Sequence, residues 1–229
     1  MQARILDTET NVLNGWPIQI SHVACDFVNG ELVIADKEQV YDRYFSCPDP
    51  ISLGAMAVHH ILPSDIEGRP DCRTFKLGSD VKILIGHNVD YDIRVLKQCD
   101  PSIKIQGICT LALARSVWPE LDSHTLGALY YHVMPDKQEA RRHLRSAHSA
   151  RADIYFTGVI LKHIVKALGI KDMKSLFLMS EGARLPKIMT FGKYKGTALN
   201  ELPPEYVEWL LKQDNLDPYL EKALKGLNA

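Results

Sequence analysis

Ile5-Leu-Asp-Thr-Glu9, followed by Ile18-Gln-Ile-Ser-His-Val-Ala-Cys-Asp-Phe27, is the stretch on which the reading of the fold turns. The first segment is a short apolar run ending in two acids. The second alternates with a period of two, as a strand buried on one face does. Between them Asn11-Val-Leu-Asn-Gly15 has the composition of a turn. Asn29-Gly30 then supplies a hairpin signal, because both residues accept the positive φ of a tight turn between twisted strands. Residues 31–45 read as a third strand region, so the chain is expected to open as an antiparallel three-strand sheet.

Working outward, residues 51–61 are expected to form a short helix, and a polar, proline-containing loop to run to about Asp80. Val81-Lys-Ile-Leu-Ile85 is an apolar strand that passes through Gly86 into a helix from about Asp90. Residues 103–108 suit another strand, and residues 111–118, 125–132 and 147–168 have helical patterns, with Gly169 placed to end the last. Strands alternating with helices after an antiparallel start predict an α/β fold, a mixed sheet flanked by helices. The character changes around residues 182–185, so a domain over 1–180 and a small C-terminal module over 181–229 are expected. That module contains Thr190-Phe-Gly-Lys-Tyr-Lys-Gly196 and Pro203-Pro204, and its size is near the limit at which one core suffices.

The 229 residues include 27 Lys plus Arg and 28 Asp plus Glu, a formal net charge of −1, which excludes a uniformly basic nucleic-acid coat but not local basic patches. No segment approaches the roughly 18 consecutive apolar residues of a membrane span. Five cysteines, an odd number with no C-x-x-C pair, suit reduced thiols in a cytoplasmic protein and argue against a zinc site.

Asp7 and Glu9 are one residue apart, so on a strand both carboxylates point to one face. Two acids side by side repel unless a cation lies between them, and hard oxygen ligands favour Mg2+ or Mn2+; a water-exposed pair at a sheet edge is the alternative. Gly86-His-Asn-Val-Asp-Tyr-Asp92 lies where a strand ends and a helix begins, the place where sites gather in open α/β sheets. Asp90 and Asp92 there serve either as ligands or as favourable anions at a helix N-terminus. His148-Ser-Ala-Arg-Ala-Asp153 opens the longest helical pattern. Five residues at about 100° each leave the two side chains far apart on a regular helix. Both reach one site only if the histidine precedes or begins the first turn. A neutral imidazole suits a general base near neutral pH.

In this order, D-x-E, H-N-x-x-x-D and H-x-A-x-x-D resemble the three motifs of the DEDDh exonuclease superfamily, over about residues 1–170. Ala57-Val-His-His-Ile61 is also similar to the family's segment after its third strand. The resemblance selects Asp92 over Asp90. It implies an RNase H-like fold and a metal-dependent 3'→5' exonuclease releasing nucleotides from DNA 3' ends, single-stranded or duplex, in DNA repair. It further implies that Asp7, Glu9, Asp92 and Asp153 hold two Mg2+ ions, with Mn2+ able to substitute, and that His148 is the general base. Substrate contacts are implied for Thr8, Thr10, Leu13, Asn14, His87, Asn88 and Arg151, Leu13 packing on the terminal base. Internal roles, a core hydrophobe at Leu13 or a self-capping turn at Asn88, are the competing readings. Arg141, Arg142, Arg145 and Arg151 fall in a stretch without an acid, either a phosphate track or a solvated helix face. Lys193-Tyr194-Lys195 likewise reads as a strand contact or as a plain turn. The chain departs from the family at Asn11-Val12, where Thr-Gly is usual, at Gln19, where glutamate is frequent, and at His60, where glycine is frequent. Two further functional readings stay open: an exoribonuclease of the RNase T or oligoribonuclease type, and a catalytically idle, polymerase-associated end-binding module.

Overall fold

The computed structural model describes residues 2–213 and 215–227. The chain divides into two compact units, Met1–Ser180 and Glu181–Ala229. In the first, strands β1 (Ala3–Thr10), β2 (Pro17–Val28), β3 (Glu31–Ile34), β4 (Tyr41–Tyr44), β5 (Ile83–Gly86) and β6 (Gln106–Cys109) form one sheet. Its order is β3-β2-β1-β5-β6, with β4 paired to β2 off that path. β1, β2, β3 and β4 pair antiparallel, whereas β1–β5 and β5–β6 are parallel. This is the expected RNase H-like succession, antiparallel first and parallel after it. β1 is central, so Ile5 and Leu6, which point to opposite faces, are both buried.

The hairpin forms at Asn29-Gly30, where both residues have positive φ (52° and 81°). The expected third strand region is two strands, β3 and β4, separated by a 3-10 turn at Lys37–Gln39. Both strands pair with the long β2, which needs two short partners along one edge.

The helices of this unit are α1 (Leu53–His59), α2 (Pro63–Ile66), α3 (Val89–Cys99), α4 (Thr110–Val117), α5 (Leu126–Val133), α6 (Lys137–His143), α7 (Ala150–Leu168) and α8 (Met173–Arg184), the last crossing the boundary between the units. α7 lies on β1 and β2 and also packs against α4 and α5. Its buried stripe runs Asp153, Thr157, Ile160, Ile164, the i, i+4, i+7, i+11 spacing of one helix face. The contact is close at Gly158, where an added Cβ would come within 2.9 Å of Ile34 Cδ1. Asp153 therefore lies at the N-terminal end of a face that the apolar residues below it press onto the sheet. α7 ends at Gly169, with φ 64°.

The second unit contains α9 (Pro204–Leu211) and α10 (Pro218–Gly226). Met189, Leu199, Leu202, Val207, Leu210, Leu220 and Leu224 form a buried cluster of its own. Among the described residues no helix is long and apolar enough to cross a membrane.

Candidate active site

Asp7 and Glu9 stand opposite Ser21 and Gln19 in the β1–β2 register, on the sheet face that also carries Ile5. α7 covers this face, and Asp153 lies in its first turn. Carboxylate oxygens of Asp7, Glu9 and Asp153 all lie within 4.8 Å of one another. Asp92 comes from the first turn of α3, where it is 3% exposed while Asp90 faces solvent. Asp92 stands outside the group of three, yet its charge acts on both Asp7 and Glu9. Thr8 Oγ1 donates to Asp92 Oδ1 at 2.7 Å and fixes that carboxylate.

Burial holds all four acids above the usual range, and at Asp7 and Glu9 the neighbouring carboxylates add to it. Glu9 is pushed up to about 8 by burial, then by Asp153 and Asp92. Asp7 is raised by burial, then by Asp92, Asp153 and Glu9. Asp92 and Asp153 are raised by burial, against the hydrogen bond from Thr8 in one case and the His148 backbone N–H in the other. Asp153 Oδ1 is buried without a hydrogen-bond partner. Crowded carboxylates that repel one another, Asp7 and Glu9 half-buried and Asp153 buried with one oxygen unsatisfied, fit a divalent cation.

A pH dependence follows. Between about 4.5 and about 8 the folded protein holds the Glu9 proton that the unfolded chain has lost. Metal-free stability is therefore expected to be complete at the acidic end and to fall with rising pH, by roughly 1.4 kcal/mol per pH unit for each group so held. Thermal melts from pH 5 to pH 8.5 in chelator, repeated with saturating Mg2+, check this. Mg2+ is expected to flatten the decline, and an equal decline in both series would remove the cation from the cluster.

His148 lies two residues before α7, exposed, with φ 64°, a left-handed conformation unusual for a side chain with a Cβ. The start of α7 is tied to the sheet by Gln19, which is buried. Its Oε1 accepts from Ala150 N at 3.2 Å and its Nε2 donates to Asp42 Oδ1 at 2.9 Å. Ser21 Oγ donates to the same Asp42 oxygen at 2.6 Å, and Arg151 Nη1 lies 3.8 Å from Asp42 Oδ2. An amide at position 19 both accepts from a helix N–H and donates to a carboxylate. A glutamate there would face Asp42 as a like charge. In the sequence Gln19 stands out only as a departure from the family pattern. Its partner is 131 residues away, beyond any local signal.

The rim of the site is built by Asn11, a fully buried residue that the motifs do not mark. Its Oδ1 accepts from Trp16 N at 2.8 Å, its Nδ2 donates to Pro50 O at 3.1 Å, and its carbonyl accepts from Ser52 N at 2.9 Å. The loop so pinned projects Leu13, 82% exposed, and Asn14, whose carbonyl accepts from Gln98 Nε2 at 3.1 Å. Leu13 is thus a surface residue and not the core hydrophobe of the competing reading. Asn88 is exposed at the N-cap of α3, with φ 75° and no side-chain cap bond. Arg151 is exposed beside Asp42.

Three other sequence candidates spend their polar atoms inside the protein. Thr8 holds Asp92, as above, and Thr10 Oγ1 is 2.7 Å from the Tyr91 hydroxyl. His87 Nδ1 meets Thr110 Oγ1 at 3.1 Å and His87 Nε2 meets the His124 carbonyl at 2.9 Å, so both ring nitrogens are engaged.

Exodeoxyribonuclease 10 of Escherichia coli is 30% identical to this chain, over 97% of the chain and 96% of that protein, and the same protein of a second Escherichia coli strain matches equally. A solved structure of exonuclease X in complex with 5' overhanging duplex DNA superposes with a TM-score of 0.58 at 27% identity. It covers 76% of this chain and 99% of its own. Residues 184–225 match a family model described as "Putative quorum-sensing-regulated virulence factor".

Proposed function

Because the chain belongs to the exodeoxyribonuclease 10 (exonuclease X) family, we propose that it hydrolyses the terminal phosphodiester at DNA 3' ends, releasing nucleotides stepwise in the 3'→5' direction. The observation that carries this reading is the convergence of Asp7, Glu9 and Asp153 within 4.8 Å, with Asp92 beside them and an unsatisfied Asp153 oxygen among them. Asp7, Glu9, Asp92 and Asp153 would hold two Mg2+ ions, or Mn2+ in their place. When bound, such ions polarise the scissile phosphate, promote ionisation of the attacking water and stabilise the leaving 3'-oxygen.

The chain's own residues do the rest. His148 accepts the proton from the attacking water; the P–O3' bond breaks and the 3'-oxygen leaves to be protonated from solvent. Thr8 keeps the Asp92 carboxylate in one orientation, and Gln19 keeps the start of α7, with His148 before it and Asp153 in it, against β2. Leu13 packs on the terminal base, and Asn14, Asn88 and Arg151 face the sugar and phosphates. The setting in this reading is DNA repair in the cytoplasm, in keeping with five cysteines that are all free thiols.

Incubation with 5'-labelled single-stranded DNA, 5'-overhang duplex DNA and RNA, each with Mg2+, Mn2+ or chelator, tests the reading. A ladder shortened from the 3' end of DNA, absent in chelator and absent for Asp7→Ala, is expected. Preferred digestion of RNA would transfer the reading to an exoribonuclease. Binding without digestion of any strand would leave an idle end-binding module.

A further inference from the structure

None of the residues assigned above lies in Glu181–Ala229, and this unit carries an aromatic and basic surface of its own. Residues 184–196 include four cations and no acid. Arg184 belongs to the unit's framework, 5.1 Å over the Tyr219 ring and 3.4 Å from Glu181. Lys187, Lys193 and Lys195 are exposed, and among the described residues none is in an ion pair.

The lysines are mounted on a fixed turn. Met189 N donates to Thr197 O at 2.9 Å, Gly196 N to Met189 O at 2.8 Å and Thr197 N to Tyr194 O at 3.0 Å, and Ile188 bridges to Ala198. Gly192 has φ 70°, and a Cβ on it would come within 3.1 Å of the Tyr206 hydroxyl, so the turn rests on α9. A row of rings follows. Tyr194 and Tyr206 are 4.6 Å apart, Tyr206 and Trp209 are stacked at 5.5 Å with planes 23° apart, and Lys193 Nζ stands 5.2 Å from the Tyr194 centroid. Met189 and Tyr206 anchor the row to the core, whereas Trp209 and Phe191 remain 52% and 47% exposed. The core does not need those two faces.

We propose that the turn carrying Phe191, Lys193 and Lys195, with Tyr194, Tyr206 and Trp209, is a binding site for single-stranded DNA, the lysines taking phosphates and the exposed rings stacking on bases. Charge decides the class of ligand. The cores of protein interfaces are depleted in lysine, while cations interleaved with aromatic rings are the usual composition of a single-strand track. Duplex DNA keeps its base faces covered. A flat anionic membrane would be repelled by the exposed Glu205 and Glu208 that share α9 with Trp209, whereas a strand follows one narrow line. The proposal rests on the exonuclease reading only for the identity of the strand. A strand held by one unit of a chain is at raised concentration for the other.

The test uses the full-length protein in Ca2+ or chelator, with fluorescence anisotropy of a labelled oligothymidylate of about 20 nucleotides. Lys193→Gln with Lys195→Gln is expected to weaken affinity about tenfold and to reduce the slope of log K against log salt by about 1.4, since each phosphate contact on a single strand contributes about 0.7. Phe191→Ala is expected to weaken affinity about tenfold with the slope unchanged. Mg2+-dependent hydrolysis of a dinucleotide, too short to span a second site, is expected to stay at the wild-type rate in all variants. Unchanged oligothymidylate affinity in these variants, which alter only exposed side chains, overturns the proposal. Failure of the wild type to cleave the dinucleotide would count against the exonuclease reading instead.

Discussion

Replacing His148 with alanine is expected to lower the rate of 3'-nucleotide release by about 10²–10⁴-fold while DNA affinity stays near the wild-type value. The side chain is exposed and stands two residues before the helix that carries Asp153, so truncation removes a proton acceptor and little packing. Backbone geometry gives a second, independent readout. With φ at 64°, a residue bearing a Cβ is strained by about 1–2 kcal/mol relative to glycine. The flanking structure enforces that conformation: Ala147 N donates to Leu144 O, Asp153 N to Ser149 O, and Ala150 N to Gln19. His148→Gly is therefore expected to be as inactive as His148→Ala but about 1 kcal/mol more stable. Single-turnover kinetics with thermal melts on both variants separate the effects. Wild-type turnover in the glycine variant would take the histidine out of the mechanism.

The parts of this site legible in the sequence are those set by short-range geometry. D-x-E places Asp7 and Glu9 on one face because strand side chains alternate. The requirement that a histidine five residues before Asp153 must precede the helix follows from 100° per residue. The structure puts α7 at Ala150, leaving His148 outside it. Illegible parts depend on distant partners or on conformations that no residue type announces. Gln19 holds a helix start 131 residues away, and Asn11 shapes the rim through Pro50 and Ser52. Histidine gives no sign of a positive φ. Helix α6 is hidden for another reason. Over Lys137–His143 it buries only Ala140, so it lacks an apolar period, and its one local signal is Asp136, whose Oδ1 accepts from Gln138 N and Glu139 N. Thr8 illustrates the converse. Its place inside D-x-E suggests a substrate contact, yet odd and even residues of β1 face opposite sides, so its hydroxyl turns away from Asp7 and Glu9 and onto Asp92.

Asp153→Asn is expected to reduce turnover by about 10³-fold or more, to abolish stabilisation by Mg2+, and to make the metal-free protein more stable at pH 8. The first effect corresponds to about 4 kcal/mol of transition-state stabilisation, the scale of one lost electrostatic contact to a developing charge. The second follows from mass action. Wild-type protein with Mg2+ at about 100 times its dissociation constant gains roughly 2.7 kcal/mol, and a cluster missing one of its three converging carboxylates loses most of that gain. The third has the opposite sign because the same carboxylate is a burden without a cation. Burial raises its pKa, its charge raises those of Glu9 and Asp7, and its Oδ1 has no hydrogen-bond partner. An asparagine of nearly equal volume removes the charge and presents an N–H to the acids opposite, so no cavity confuses the result. Melts in chelator and in Mg2+ at pH 8, with Asp90→Asn on the exposed side of α3 as the control, measure the second and third effects, and single-turnover release of the 3' nucleotide measures the first. A variant that still gains the wild-type increment from Mg2+ would show that the cation is held elsewhere. A variant less stable than wild type in chelator would show that the hydrogen bond from the His148 backbone N–H outweighs burial and the neighbouring charges at Asp153. Opposite signs for metal-free stability and for activity are what four acids gathered for a cation require, since any acid kept for packing would lower both when neutralised.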